Sequence, residues 1–241
     1  MQDKIRKPVI WMAGDSSMQS YWEEKRPQWG WGEKVLEILE PDMKGCDCGM
    51  RREDSPFETQ RRYEGKEYIV DNCAMSGRST KTFREDGRLD DIASHIQPGD
   101  YLIIQFGHND GAKSKAERYV SLQDFKGSLG NYVKVATDHQ ATPILISSIV
   151  LCPCEETQSG EAGEISSLLP EYGAVMEEYS RELNIPYIDM NEKCRRFVST
   201  LTKEEAEEMY LADHVHLKEK GANAYACLIA EELKCILADQ K

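Results

Sequence analysis

Residues 8–17 read PVIWMAGDSS. A proline opens the run, five apolar residues follow from Val9 to Ala13, and Gly14-Asp15-Ser16-Ser17 closes it. An unbroken apolar run this short, ended by turn residues, fits a strand buried on both faces of a parallel sheet. Further strands are read at residues 67–72, 101–106 and 143–149, and a short one at 186–189, most of them near-continuous apolar runs. Helix-period stripes lie between and after these runs. One is Leu122, Phe125, Leu129, Tyr132 and Ala136; a second is Leu168, Tyr172, Val175, Tyr179 and Leu183; a third is Ala222, Ala226, Ile229, Leu233 and Ile236. Thr202-Lys203-Glu204-Glu205 has the form of a capping box opening another short helix. Strands alternating with helices through right-handed crossovers predict an α/β protein, a three-layer α/β/α sandwich. With no repeat and no Pro/Gly/Ser-rich linker, residues 1–241 read as a single domain. Residues 41–66 are polar and turn-rich, and are expected to form a surface insertion. Residues 153–163 look like a second, shorter loop.

Composition narrows the function. The formal net charge is −13 over 241 residues, so nucleic acid is not an expected partner, since phosphate binding needs a basic surface. The same charge disfavours a strongly anionic polymer as substrate unless the cleft carries local arginine. No apolar run is long enough to span a bilayer, and the apolar run after the charged N-terminus is too short for a signal-peptide core. A cytoplasmic protein without a membrane partner is therefore expected. The chain has eight cysteines. Cys73 falls in a strand run and Cys227 and Cys235 in a helical pattern, positions typical of free thiols. Cys46/Cys48 and Cys152/Cys154 form two Cys-x-Cys pairs that could together bind zinc. Their spacing is not the usual one and no histidine adjoins them in sequence, so neither metal nor cofactor is expected.

In open parallel sheets ligands bind at the carboxyl ends of the strands. Four such ends carry chemistry: Gly14-Asp15-Ser16-Ser17, Ala74-Met75-Ser76-Gly77-Arg78-Ser79, Gly107-His108-Asn109-Asp110, and Asp213-His214-Val215-His216 before the last helical stripe. A serine hydroxyl becomes a useful nucleophile only when a base takes its proton. Ser16, at what reads as a strand-to-helix turn, is the candidate nucleophile, although Asp15 or Ser16 could simply cap a helix. Asp213 is three residues before His216, so one turn brings carboxylate to imidazole. Asp213 would then fix the tautomer while His216 acts as base. His214, only one residue from Asp213, is the rival base. The backbone N–H groups of Ser16 and Gly77 and the Asn109 amide are candidate oxyanion donors. Any one of these could be plain turn chemistry; four in strand-end positions are hard to explain that way.

Together these strings resemble the SGNH hydrolases, also called GDSL-type esterases. Gly30-Trp31-Gly32 and Gly221-Ala222 add to the likeness, which runs over nearly the whole chain and is nearest the rhamnogalacturonan acetylesterase-like branch. The resemblance implies a flavodoxin-like fold with a five-stranded parallel sheet. It maps the four namesake residues to Ser16, Gly77, Asn109 and His216, with Asp213 completing the triad. It also implies metal-free removal of O-acetyl groups from plant cell-wall polysaccharides or their oligosaccharides, through an acyl-Ser16 intermediate. Asp15, Trp31, Arg78 and His108 are the candidate substrate contacts. Trp31 would stack on a sugar ring, with core packing as the alternative, and Arg78 would pair with a uronic acid carboxylate. The rival readings are a general carboxylesterase or xylan-type deacetylase, a metal-dependent hydrolase, and a non-catalytic carbohydrate-binding protein on the same fold.

Overall fold

The computed structural model describes residues 6–43 and 49–238. Cys46 and Cys48, half of the considered zinc set, lie outside the described residues. The strands are β1 (Val9–Gly14), β2 (Arg61–Glu64), β3 (Ile69–Asn72), β4 (Tyr101–Gln105), β5 (Thr142–Ile146) and β6 (Tyr187–Ile188). The helices are α1 (Val35–Leu39), α2 (Thr80–Glu85), α3 (Arg88–Ala93), α4 (Leu122–Asp138), α5 (Gly160–Leu183), α6 (Met190–Val198), α7 (Lys203–Glu207) and α8 (Glu219–Ala238). The sheet runs β2-β3-β1-β4-β5-β6. All neighbours are parallel except β2, which pairs antiparallel with β3. The five parallel strands are those expected from sequence, in flavodoxin-like order. The sixth is a correction: part of the 41–66 segment joins the sheet as an edge strand instead of standing off as a loop. The second loop is also shorter than its composition suggested, because α5 already begins at Gly160.

Alternation along the strands divides the core into two layers. Ile10, Met12, Ile103, Ile144 and Ile146 face one side, where Val35, Cys194, Ala226, Ile229 and Leu233 of α1, α6 and α8 cover them. Val9, Trp11, Ala13, Leu102, Ile104 and Leu145 face the other, under Phe83, Ile92, Phe125, Leu129, Tyr172 and Met176 of α2 to α5. Burial of both faces explains why these strands read as continuous apolar runs. The Thr202 capping box forms: its hydroxyl accepts the Glu205 N–H, and the Glu205 carboxylate accepts the Thr202 N–H. Strand order reverses between β1 and β4, so their carboxyl ends open the crevice where such sheets bind ligands. None of the described helices is long and apolar enough to cross a membrane.

Candidate active site

After β1 the chain makes one turn and no regular helix, which corrects the strand-to-helix expectation. The N–H groups of Met18 and Gln19 both return to the Asp15 carbonyl. The Asp15 side chain holds this turn from inside. One carboxylate oxygen accepts the Ser17 N–H at 2.9 Å and the Ser17 hydroxyl at 2.8 Å. The other accepts from His108 Nδ1 at 3.0 Å, while His108 Nε2 donates to the Ile149 carbonyl at 3.0 Å. Both ring nitrogens thus face acceptors, which favours the imidazolium. Burial works against both charges. The pairing outweighs it, lowering Asp15 below its ordinary value and raising His108 above its own.

The turn leaves Ser16 half-buried at the crevice, and the chain's far end meets it there. His216 Nε2 lies 3.1 Å from Ser16 Oγ, and His216 Nδ1 lies 2.7 Å from an Asp213 carboxylate oxygen. With Nδ1 as donor, Nε2 is free to accept the serine proton. The other Asp213 oxygen accepts the N–H groups of Val215 and His216 at 3.0 and 2.9 Å. Partial burial pushes Asp213 up, but the hydrogen bonds from the His216 backbone and ring and from Val215 prevail and hold it below its ordinary value. Backbone bonds from Leu211 to the His216 carbonyl and from His214 to the Leu211 carbonyl tighten the loop.

Ser16, Asp213 and His216 line a cleft of about 320 Å³ together with Gly77, Asn109 and His108. Gly77 has φ of 77°, left-handed backbone that a side chain would strain. Among the described residues the Ser16 and Gly77 N–H groups have no acceptor. Asn109 Nδ2 gives one hydrogen to the Arg78 carbonyl at 3.0 Å, leaving its second for the cleft. Asp110 anchors this loop to the start of α2 by accepting the N–H and hydroxyl of Thr80 at 3.0 and 2.6 Å. Its carboxyl, pushed up to about 7 chiefly by burial, contributes no dependable negative charge at neutral pH.

Three of the candidate substrate contacts need correction. Asp15 and Trp31 are both 0% exposed, so neither reaches a ligand in the cleft. Trp31 packs in the core and donates its indole N–H to Gln105. Arg78 is bound to Asp86 at 2.5 Å and is not among the cleft's lining residues. His108 does line the cleft, with both nitrogens engaged as above. Two cations there were missed, Lys115 and Arg118. Lys115 faces Glu161 at 3.5 Å. The Arg118 guanidinium lies against Gly77, with Nη1 3.4 Å from where a Cβ on that glycine would sit. The Arg118 Nε is buried without a hydrogen-bond partner among the described residues. A larger cleft of about 440 Å³ opens elsewhere, between Arg6, Arg52 and Arg62. Its arginines are already paired with Asp100, Asp91 and Asp71.

A flavodoxin-like sandwich with hydroxyl, imidazole and carboxylate hydrogen-bonded in series at its crevice has the layout of a carboxylic ester hydrolase. The model of the GDSL-like lipase/acylhydrolase family matches residues 12–224, and the chain belongs to that family. It is 31% identical to a probable rhamnogalacturonan acetylesterase, YesY, of Bacillus subtilis, over 93% of this chain and 92% of that one. It is 28% identical to the rhamnogalacturonan acetylesterase RhgT of the same organism, over 95% and 91%. Among solved structures, the B. subtilis protein YxiM superposes with a TM-score of 0.72 at 25% identity, covering 96% of this chain but only 57% of that one. An acetylxylan esterase of Geobacillus stearothermophilus superposes with a TM-score of 0.64 at 16% identity, covering 95% and 94%. That last likeness is one of fold.

Proposed function

We propose that this chain removes O-acetyl groups from a carbohydrate, with Ser16 as nucleophile and His216 as general base. The observation that carries the reading is the unbroken Ser16–His216–Asp213 series opening on the cleft. Ser16 Oγ attacks the acetyl carbonyl while its proton passes to His216 Nε2. Negative charge builds on the carbonyl oxygen beside the Ser16 and Gly77 N–H groups and the free Asn109 amide hydrogen. Collapse breaks the ester bond, and His216 returns its proton to the departing sugar oxygen. Water, deprotonated by His216, then releases acetate from Ser16. Asn109→Ala is expected to lower kcat by roughly 10²–10³-fold with KM little changed, because its donor acts where charge develops. Steady-state kinetics on an aryl acetate checks this.

The names of the relatives point to acetylated rhamnogalacturonan or its oligosaccharides as the substrate class. Arg118 supports that reading: it gives an acidic protein a cation at the cleft for a uronic acid carboxylate. A charge-assisted hydrogen bond contributes about 1.5–3 kcal/mol. Arg118→Ala should therefore raise KM for uronate-bearing acetylated oligosaccharides by roughly 10-fold or more, leaving neutral aryl acetates nearly untouched. Comparing kcat/KM on acetylated rhamnogalacturonan, acetylated xylan and aryl acetates decides between pectin, xylan and general esterase activity. A preference for xylan, unmoved by Arg118→Ala, would overturn the pectin assignment. A serine-directed organophosphonate separates enzyme from binding protein, since only the enzyme forms a stoichiometric adduct on Ser16.

A further inference from the structure

The loop carrying Asp213 and His216 also carries His214, whose ring turns to other company. His214 has φ of 59°, left-handed backbone uncommon for a residue with a side chain. Its ring lies with Cys152 and Cys154, and ligand atoms of all three fall within 4.8 Å of one another. Both cysteines are buried, at 1% and 3% exposure, and neither is in a disulfide. His214 Nδ1 is itself buried and has no hydrogen-bond partner among the described residues. Leaving a polar ring nitrogen buried and unsatisfied is costly, and native structures seldom do so without a reason. The backbone is set around the same point. The Cys152 N–H donates to the His214 carbonyl at 2.9 Å, and the Cys154 N–H to the Cys152 carbonyl at 2.9 Å. The Thr157 hydroxyl donates to the Cys152 and Cys154 carbonyls.

We propose that Cys152, Cys154 and His214 form a zinc site that clamps the 211–216 loop to the segment following β5. Two thiolates and an imidazole are the donor set that suits zinc; oxygen-seeking magnesium and calcium would be poorly served. Tetrahedral zinc with Zn–S of about 2.3 Å places ligand atoms roughly 3.5–3.8 Å apart. Small side-chain rotations reach that from the present spacing. A water completes the fourth position. Binding displaces two thiol protons to solvent, and the imidazole binds neutral. The ion takes no part in ester cleavage. It fixes His214, one residue from Asp213 and two from His216, and thereby the loop that presents the base. The Cys-x-Cys spacing gave no hint of this, because the histidine comes from a distant part of the chain.

The test uses the full chain, reduced, stripped with chelator and titrated with zinc alone, then with cobalt(II) as a spectroscopic probe. One zinc per chain, a higher Tm on binding, and thiolate-to-cobalt charge-transfer absorption are expected. Cys154→Ser and His214→Gln should each abolish the stoichiometric ion, two variants in case one fails to fold. Cys46→Ser/Cys48→Ser should retain it. The proposal is overturned if the wild-type chain binds no stoichiometric zinc, if binding follows Cys46 and Cys48, or if it survives all the variants. Phosphonate labelling of Ser16 is read in parallel. Labelling without metal binding sinks the zinc site and leaves the esterase reading standing.

Discussion

Ser16→Ala is expected to lower kcat for acetyl ester hydrolysis by roughly 10⁴–10⁶-fold. Alanine removes the atom that would carry the acyl group, and His216 is left with no proton to take. What survives is the proposed donor cluster, the residue-16 and Gly77 N–H groups and Asn109, which on its own should still favour the reaction over water by about 10³–10⁴-fold. The fold should not notice. Ser16 is half-buried, and its hydroxyl has His216 Nε2 as its partner. The Tm should stay within a few degrees of wild type, since substitutions outside packed and networked positions change stability by about 0.5 kcal/mol. Steady-state assays together with thermal melts check both halves. A variant that keeps most of its turnover removes Ser16 from the reaction; one that loses turnover and melts early makes the loss uninterpretable as chemistry.

One residue upstream the balance reverses. Asp15→Ala should destabilise the fold by about 3–5 kcal/mol, the usual cost of breaking a buried ion pair. For a domain of this size that is roughly a 10 °C fall in Tm. The substitution strands the Ser17 N–H and His108 Nδ1 in an interior site and leaves the Ser17 hydroxyl only Gln105 as acceptor. The sign with pH follows from the two shifts. Asp15, lowered in the fold, contributes stability above its ordinary value of 3.8 and loses it as pH falls through the depressed value. His108, raised in the fold, contributes below its ordinary 6.5 and loses its contribution as pH rises through the elevated value. The gap in Tm between wild type and Asp15→Ala should therefore be widest between about pH 4 and 6.5. A difference that fails to narrow on either side of that range would show that the pair is not ionised.

The parallel strands were legible because burial on both faces makes most of them near-continuous apolar runs, although β3 ends in the buried polar pair Asp71 and Asn72. β2 was not. Arg61-Arg62-Tyr63-Glu64 forms an edge, where antiparallel pairing tolerates charge, so its sequence carries no apolar signature. The convergence of Ser16, Gly77, Asn109, Asp213 and His216 on one cleft was legible because sheets of this kind gather the segments after their strands at one edge. Direction was the part sequence could not supply. Asp15 precedes Ser16 in the chain and the Trp31 N–H donates to the Ser17 carbonyl, yet both side chains are buried in the core, where Asp15 props the turn from beneath. Arg118 sits in a polar loop like any solvated arginine, and only the tertiary arrangement turns it toward Gly77. Extended chain would set His214 on the same face as His216, two residues on. A left-handed residue sends its ring to two cysteines instead.

The sheet order has a consequence for how this molecule comes into being. The strand Val9–Gly14 lies between β3 and β4, and both of these are made after it. During synthesis that strand waits with both edges unmatched, and non-local parallel pairing of this kind is slow and prone to aggregate. Ser16 waits longer still, for a histidine supplied by residue 216. A nascent or truncated chain ending short of that point carries Ser16 without the imidazole, so under the proposed function hydrolytic activity should switch on only after residue 216 has been made.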